Sequence, residues 1–230
     1  MRILLTRPEA DAHMSAEKLS ALGHTCVIAP LFEIVATQEA KPSGPFSALL
    51  ATSAHAFQTR TWDDELHALP LHLVGERTAQ AARQAGFQNI QHIGADGPKL
   101  AQEIGTGAEH FLYLAGRERR PEIEALVTAQ GHHVTPWVIY ETRDVIALPE
   151  KAHQALSKGE IDAVMHFSTR SAELYRALAI AAGLEAQALK PIQLAISARA
   201  GAALQGAERM ALAPTPDFEG LLDAVKGLSA

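Results

Sequence analysis

The amino-acid sequence predicts an α/β protein with parallel sheets, and two features support this prediction. Short apolar runs recur along its 230 residues, and segments with helical periodicity lie between them. Most of the apolar runs are continuous rather than alternating, which is typical of strands that are covered on both faces. Strands that alternate with helices form βαβ units, and such units build parallel sheets.

The individual elements can be placed in chain order. Apolar runs bounded by turn residues predict strands at residues 3–5, 26–28, 48–51, 71–74, 111–114, 164–167 and 192–196. Apolar residues at helical spacing predict three helices. The first opens at Pro121 and carries Ile123, Leu126 and Val127; the others carry Leu174, Ala177, Leu178 and Ala181, and Phe218, Leu221, Leu222 and Val225.

The composition excludes several classes of protein. Apolar residues make up 47% and charged residues 20%, which is typical of a globular chain. The longest apolar runs have the length of a strand, so we expect neither a membrane protein nor a signal peptide. Cys26 is the only cysteine, which excludes an internal disulfide and a cysteine-based metal site and fits a reducing, cytoplasmic setting.

The charge of the chain bears on its partners. The formal net charge is −6 and the basic residues are scattered, so the sequence does not predict a nucleic-acid surface. An anionic small substrate is compatible with this charge, because local arginines and helix N-termini attract anions.

The chain also repeats itself. Residues 49–56 correspond to 164–171, residues 71–79 correspond to 193–201, and residues 2–30 resemble 111–136. We name the pieces A (about 1–30 and 110–138) and B (about 45–105 and 150–230). Because A holds two strands and B three, the repeat predicts two five-stranded sheets.

Two domain layouts are compatible with this A-B-A-B order. In one, the domains follow each other with a boundary near residue 107. In the other, the first A pairs with the last B, and the middle pieces form an inserted domain. The second layout requires two extended connectors, at about 31–42 and 138–149, which would pair as a short antiparallel ladder. Periodicity alone does not decide between the layouts.

Motifs along nearly the whole chain resemble those of one family. They are Leu4-Leu5-Thr6-Arg7-Pro8, Thr52-Ser53, Val74-Gly75-Glu76-Arg77-Thr78-Ala79, Gly116-Arg117-Glu118-Arg119-Arg120, Val138-Ile139-Tyr140-Glu141-Thr142, Phe167-Ser168 and Ala213-Pro214-Thr215-Pro216-Asp217. In this order and spacing, the sequence resembles the uroporphyrinogen-III synthase family. Members of this family are lyases that cyclise hydroxymethylbilane to uroporphyrinogen III, with inversion of the last pyrrole ring and loss of water.

The resemblance implies a fold and a setting. It implies two small flavodoxin-like parallel-sheet domains joined by a two-stranded β linker, the first being discontinuous (1–34 with 146–230) and the second spanning 38–138. It also implies that no metal or organic cofactor is used and that hydroxymethylbilane binds in the cleft between the domains. The expected protein is a cytoplasmic monomer without nucleic-acid or membrane partners, with a possible transient contact to the upstream deaminase.

The candidate site residues lie mostly in turns that follow strands. In open parallel sheets ligands bind at the carboxyl ends of the strands, where helix N-terminal amides, hydroxyls and arginines can meet carboxylates. The candidate substrate-binding residues are Arg7, Thr52, Ser53, Thr78, Arg117, Arg119, Ser168, Thr169, Ser197 and Arg199. The resemblance adds Tyr140 as the catalytic residue, a neutral phenol that would donate a proton near the departing hydroxyl.

Each candidate also has a plainer interpretation. The hydroxyls could be helix N-caps, the arginines could be solvated, and Tyr140 and Thr78 could be packing residues. The turn at Ser197 and Arg199 departs from the paired hydroxyls of some family members. The histidines do not form an H-E-x-x-H pattern, and glycine-rich phosphate or dinucleotide motifs are absent from the sequence. The alternative function is a non-catalytic two-domain binding protein for an anionic small molecule.

Overall fold

The computed structural model describes residues 1–119 and 121–228. Arg120, part of the arginine-rich motif, therefore lies outside the described residues. The strands are β1 (Arg2–Leu5), β2 (Thr25–Ile28), β3 (Phe32–Ala36), β4 (Ala48–Ala51), β5 (Leu71–Val74), β6 (Ile90–Gly94), β7 (His110–Gly116), β8 (His133–Asp144), β9 (Ala163–His166), β10 (Ile192–Ala195) and β11 (Met210–Leu212).

Helices follow most of these strands, as expected for βαβ units. They are α1 (Glu9–Ala21), α2 (Asp64–Ala68), α3 (Glu76–Gln84), α4 (Gly97–Ile104), α5 (Glu122–Ala129), α6 (Glu150–Ser157), α7 (Thr169–Ala181), α8 (Glu185–Leu189), α9 (Ala198–Ala202) and α10 (Phe218–Leu228). A short 3-10 helix spans Ala54–Phe57. Within the described residues, no helix is long and apolar enough to cross a membrane.

The contacts divide the chain into two compact units. Unit 1 comprises Met1–Glu33 and the chain from Arg143 onward, and unit 2 comprises Ile34–Thr142. The chain thus leaves unit 1 within β3 and returns to it within β8.

Unit 1 contains a five-stranded sheet in the order β11-β10-β9-β1-β2. All of its strand pairs are parallel, and β1 pairs with β9 although the two strands are far apart in sequence. Alternate residues of each strand face opposite sides of the sheet, and both sides are buried. Leu4 and Val164 therefore pack on one side, while Ile3, Leu5 and Met165 pack on the other.

Unit 2 contains a six-stranded sheet in the order β3-β8-β7-β4-β5-β6. The strand pairs from β8 to β6 are parallel, and β3 lies beside β8. Leu49 and Leu112 pack in one core cluster of this unit, and Leu50 and Phe111 pack in the other.

In both sheets the two strands of an A piece lie beside the three strands of a B piece. Unit 2 has the same spatial order as unit 1, with B before A along the chain.

The predicted α/β class with parallel sheets is confirmed. Each predicted strand overlaps an observed one, and the three predicted helices correspond to α5, α7 and α10. The apolar runs did not locate the third strand of either B piece, which is β6 in unit 2 and β11 in unit 1. The predicted five strands are observed in unit 1, whereas the sheet of unit 2 has six, because β3 from the connector joins it beside β8. Strand β6 mixes polar and apolar residues, and β11 has three residues, of which Met210 and Leu212 are exposed. Neither strand has the continuous apolar run that marks a strand covered on both faces.

Candidate functional site

The candidate site is a cavity of about 940 Å³ at the carboxyl edge of the sheet in unit 2. It lies where β4, β6 and β7 end and their chains turn into helices, and β8 contributes residues beside them. This is the edge at which parallel sheets bind ligands. The cavity is lined by Thr52, Ser53, His55, Val74, Asp96, Gly97, Pro98, Tyr113, Glu118, Arg119, Glu122, Ile123, Tyr140 and Thr142.

Two hydroxyl side chains follow β4 and have different partners. Thr52 Oγ1 lies 2.7 Å from the phenol oxygen of Tyr113, which projects from the middle of β7. Ser53 caps the 3-10 helix, since its side chain accepts a hydrogen bond from the backbone N–H of His55. Burial raises the pKa of Tyr113, while the hydrogen bond with Thr52 acts in the opposite direction. Tyr113 is therefore a neutral phenol at ordinary pH.

Tyr140 on β8 is the candidate catalytic residue, and it is buried in the wall of this cavity. Its exposed fraction is 9%, and its ring meets the edge of the His55 ring with centroids 6.0 Å apart. Burial raises the pKa of Tyr140, and nearby Glu118 adds to this rise, while a hydrogen bond with Ser53 opposes it. The phenol consequently keeps its proton and can act as a donor.

The two candidate arginines after β7 already have carboxylate partners. Arg119 lines the cavity and binds Glu124, with Nε and Oε1 2.8 Å apart. Arg117 is half-exposed, does not line the cavity, and pairs with Glu141 at 2.7 Å and with Glu39 at 3.2 Å. The Arg117 pairs are more exposed than the Arg119 pair, and exposed ion pairs contribute little to stability.

Acidic residues stand at two helix N-termini beside the cavity. Asp96 caps α4 by accepting the backbone N–H of Lys99 at 2.8 Å, and Glu122 is in the first turn of α5. Glu118 accepts a hydrogen bond from the backbone N–H of Thr142. Among the described lining residues, three carboxylates thus accompany the guanidinium of Arg119. These helix ends are partly neutralised by the protein's own side chains, which reduces their attraction for a substrate anion.

The structure places five candidate residues in unit 1. Ser168 accepts the backbone N–H of Ser171 at 3.0 Å in a complete capping box at α7, whose first residue is Thr169. Ser197 caps the short helix α9, and Arg199 is exposed in its first turn.

Arg7, also in unit 1, is held by several neighbours. Its guanidinium lies over the Phe167 ring at 4.3 Å from the centroid, and it binds Asp11 and Ser15. These contacts place the Arg7 side chain next to the residue that precedes Ser168.

The candidates therefore fall into separate groups. Thr52, Ser53, Arg119 and Tyr140 line one cavity, whereas Arg117 belongs to the same unit without lining it. Thr78 has an exposed fraction of 4% on the inner side of α3 and does not line the cavity either. The remaining five candidates belong to unit 1.

Sequence reasoning missed several residues of this cavity. Tyr113, His55, Glu118 and Asp96 were not among the candidates. The position of Tyr113 in the sequence does indicate a polar site, because a tyrosine in the middle of a buried strand must place its hydroxyl against a polar partner. Glu118 and Asp96 lie in turns and His55 in the short 3-10 helix, and their direction depends on how each of these segments folds.

Comparisons with known proteins gave one family match and several structural matches. A family model described as "Uroporphyrinogen-III synthase HemD" matches residues 14–223. A search of curated proteins gave no match. The structure of uroporphyrinogen-III synthetase from Helicobacter pylori shares 17% identity, covers 99% of this chain and 100% of that chain, and has a TM-score of 0.62. This likeness shows a shared fold.

Structures of uroporphyrinogen III synthase from Thermus thermophilus also match over their length. A mutant form shares 16% identity, covers 99% of this chain and 98% of that chain, and has a TM-score of 0.47. The wild-type form shares 18% identity, covers 100% of both chains, and has a TM-score of 0.40.

Proposed function

This chain belongs to the uroporphyrinogen-III synthase family, and we propose that the cavity of unit 2 holds the reacting end of its substrate. The reaction is the cyclisation of hydroxymethylbilane to uroporphyrinogen III, with inversion of the last pyrrole ring and loss of water. The observation that supports this use of the cavity is the neutral phenol of Tyr140 in its wall, beside the hydroxyl of Ser53.

Tyr140 would act on the departing hydroxyl group. The bond between that hydroxyl and its methylene carbon breaks, and the oxygen takes up a proton and leaves as water. A buried phenol suits this step, because it donates a hydrogen bond without bringing a net charge into the cavity. The last pyrrole ring loses a proton on closure, and this proton replaces the one that Tyr140 gave to the departing hydroxyl. The walls of the cavity would meanwhile hold the ring in the orientation that leads to inversion, since orientation supplies much of such a rate enhancement.

The other polar lining residues would bind the substrate's carboxylates. Arg119 can exchange Glu124 for a substrate carboxylate, and both groups of that pair are only about one quarter exposed. Thr52 and Ser53 can donate hydroxyl hydrogen bonds at the end of β4. Arg117 would contribute from outside the cavity, while the burial of Thr78 favours packing over binding.

The candidates of unit 1 would bind carboxylates in a similar way. As caps, Ser168 and Ser197 use an oxygen lone pair, which leaves the hydroxyl proton available for a substrate carboxylate. Thr169 and Arg199 lie in the first turns of the same helices, where basic and hydroxyl groups are well placed for anions. Arg7 would add charge from the turn after β1. We further propose a cytoplasmic monomer that meets the upstream deaminase transiently.

An isomer assay tests the activity. Hydroxymethylbilane is generated in place with the upstream deaminase, the protein is added, and the oxidised products are separated into the type I and type III isomers. Closure without catalysis yields type I. We expect a clear shift to type III, whereas type I alone from a folded sample would support a binding protein and overturn the enzyme.

The role of Tyr140 is tested in the same assay. Tyr140→Phe should lower kcat by about 100-fold or more, because general acid catalysis is lost while orientation remains. Tyr175→Phe in unit 1 is the matched control, since the Tyr175 hydroxyl donates to the backbone oxygen of Ala188 inside the core. That variant should lose roughly 1 kcal/mol of stability and keep its kcat. A kcat for Tyr140→Phe within twofold of the parent would remove Tyr140 from the mechanism.

A further inference from the structure

The phenol ring of Tyr140 lies directly against the backbone of Gly116. A Cβ atom built on Gly116 would lie 2.7 Å from Cε2 and Cζ of Tyr140 and 2.8 Å from its hydroxyl oxygen. Such distances are well below the ordinary contact distance between nonbonded atoms. The hydroxyl of Tyr140 therefore occupies space that only a glycine at position 116 leaves open.

The pairing of β7 and β8 creates this close approach. Ala115 lies opposite Val138, but the register then shifts and Gly116 lies opposite Tyr140. The backbone N–H of Arg117 donates to the backbone oxygen of Tyr140 at 2.9 Å, which fixes the two strands at this point. Strand β8 thus directs the phenol of Tyr140 into the cavity, and strand β7 packs against it at Gly116.

Backbone conformation does not explain the glycine. Gly116 is absent from the glycines with positive φ, so a residue with a side chain can adopt its backbone. Gly75 in the same unit is the opposite case, since its φ is +82° and a Cβ there would meet no atom within 4 Å. The two glycines serve different needs: Gly75 allows a turn, and Gly116 leaves room for a phenol.

The Tyr140 ring has further neighbours besides Gly116. The His55 ring packs against it at an interplanar angle of 67°, and the hydroxyl of Ser53 is hydrogen-bonded to it. A side chain at position 116 would therefore push the far end of Tyr140 away from its present contacts. Only the end of one flexible side chain has to move, so the fold itself should tolerate the change.

We propose that Gly116 is a positioning residue for Tyr140, which sets the place of the phenol hydroxyl in the cavity by having no side chain. This inference rests on the proposed role of Tyr140 as proton donor. A shift of about 1 Å at a catalytic group can slow a reaction roughly 100-fold. The effect should appear in kcat, because the groups that bind carboxylates are unchanged.

The first test is the Gly116→Ala variant. We expect kcat to fall by about 10- to 100-fold with KM within about twofold, and the type III isomer should remain the product. Gly227→Ala is the matched control, since it adds the same methyl group on α10 of unit 1, where a Cβ meets no atom within 4 Å. That control should keep both kcat and KM.

A double-mutant cycle separates positioning from damage to the fold. In the Tyr140→Phe background, Gly116→Ala should lower kcat by less than about twofold, since the hydroxyl that it displaces is already gone. A purely structural effect would lower kcat equally in both backgrounds and would overturn the inference.

A spectroscopic measurement gives an answer that does not depend on turnover. With tyrosine labelled at Cζ, the NMR signal of Tyr140 is the one that Tyr140→Phe removes. Gly116→Ala should shift that signal and leave those of Tyr113 and Tyr175 in place. If Gly116→Ala does not fold, His55→Ala replaces it, because removal of this ring contact should move the same signal without added atoms.

The outcomes distinguish the inference from the proposal on which it rests. If Tyr140→Phe slows the reaction and Gly116→Ala leaves both kcat and the Tyr140 signal unchanged, Gly116 does not position the phenol. If Tyr140→Phe itself has no effect on kcat, the proton-donor role fails, whatever the Gly116 variant does.

Discussion

The turns after corresponding strands of the two units use similar residues for different purposes. After β9 in unit 1, Ser168 closes a capping box on the 13-residue helix α7. After β4 in unit 2, Ser53 caps only the four-residue 3-10 helix, while the Thr52 hydroxyl binds the phenol of Tyr113. A long helix needs its first amides satisfied, and a single 3-10 turn needs less. The hydroxyls of unit 2 consequently line a cavity, and Ser168 of unit 1 serves first as a cap.

The largest expected effects are losses of stability at glycines where an added Cβ would collide with the backbone, and they compare the packing of the two units. A Cβ on Gly94 in unit 2 would lie 2.5 Å from the backbone nitrogen of Leu100, and one on Gly220 in unit 1 would collide with the backbone oxygen of Thr215. Backbone cannot move aside as a side chain end can, so Gly94→Ala and Gly220→Ala should each cost about 3 kcal/mol or more of stability. Gly116→Ala should cost far less.

Tryptophan fluorescence makes this measurement specific to one unit. Both tryptophans, Trp62 and Trp137, belong to unit 2. Gly94→Ala should lower the midpoint of the fluorescence transition. For Gly220→Ala, comparison of fluorescence with far-UV circular dichroism shows whether unit 2 unfolds with unit 1 or separately. An unchanged midpoint for Gly94→Ala would contradict the packing of β6 against α4.

Each unit also buries one histidine in its sheet, and this predicts a pH dependence. Burial lowers the pKa of His166 in unit 1 and of His72 in unit 2 to about 4 from an ordinary value of 6.5. The unfolded chain takes up these protons near pH 6.5 and the folded chain does not. Stability is therefore complete above about pH 6.5 and is lost as the pH falls toward 4, by up to roughly 3 kcal/mol for His166.

Unfolding free energies at pH 7 and pH 5 check this prediction. His166 Nε2 lies 2.9 Å from the Gln193 side-chain oxygen, so His166→Gln keeps a polar partner there without a titrating group. That variant should lose less stability between the two pH values than the parent does. His13→Ala, at an exposed position of α1, should keep the parent's pH dependence. Equal losses in the parent and in His166→Gln would show that His166 is not responsible.

A smaller effect is expected at the arginine of the cavity. Arg119→Ala should raise KM by about 10-fold, because a charge-assisted hydrogen bond to a substrate carboxylate is lost. Arg176→Ala in unit 1 is a matched control, since Arg176 forms a comparable pair with Glu185 at 3.0 Å and lies outside the proposed site. Its KM should stay at the parent's value. An unchanged KM for Arg119→Ala would exclude Arg119 from substrate binding.

The smallest expected effects are those that distinguish the cap Ser53 in unit 2 from the cap Ser168 in unit 1. Ser168→Ala should lower the unfolding free energy by about 1 kcal/mol, because α7 loses its capping box. Ser53→Ala should lower it by less than half of that, but it should reduce kcat severalfold because Tyr140 loses a hydrogen-bond partner. Chemical denaturation and steady-state rates of both variants provide the comparison. Equal stability losses with unchanged rates would mean that both serines are only caps.

Much of the fold could be predicted from the sequence, because apolar runs and helix caps are local patterns that specify strands and helix starts. A continuous apolar run such as residues 111–114 is stable as a strand only when both faces are covered, which requires helices on both sides of the sheet. The hydroxyl at Ser168 before an amphipathic segment likewise marks the start of α7. Strands β6 and β11 gave no such signal, since both are only partly buried and carry polar or exposed residues.

The site was less predictable than the fold, since its candidates were chosen by residue type. Thr52, Ser53, Arg119 and Tyr140 do line one cavity, as expected for turns at the carboxyl edge. The pattern Val74 to Ala79 left binding and packing open for Thr78, and the structure shows that it is buried on α3. The sequence also does not show that Arg117 pairs with Glu39 and Glu141, because these partners are distant in the chain.

The sequence by itself thus determined the α/β class, the strands that are buried on both faces, the helix caps and the family motifs. These depend on residue type and short spacing. Only the tertiary structure decided that β1 pairs with β9, that Tyr113 reaches Thr52, and that Gly116 leaves room for Tyr140. Such contacts depend on strand register and on residues far apart in the chain. A shift of one residue between β7 and β8 would turn Tyr140 to the other face of the sheet.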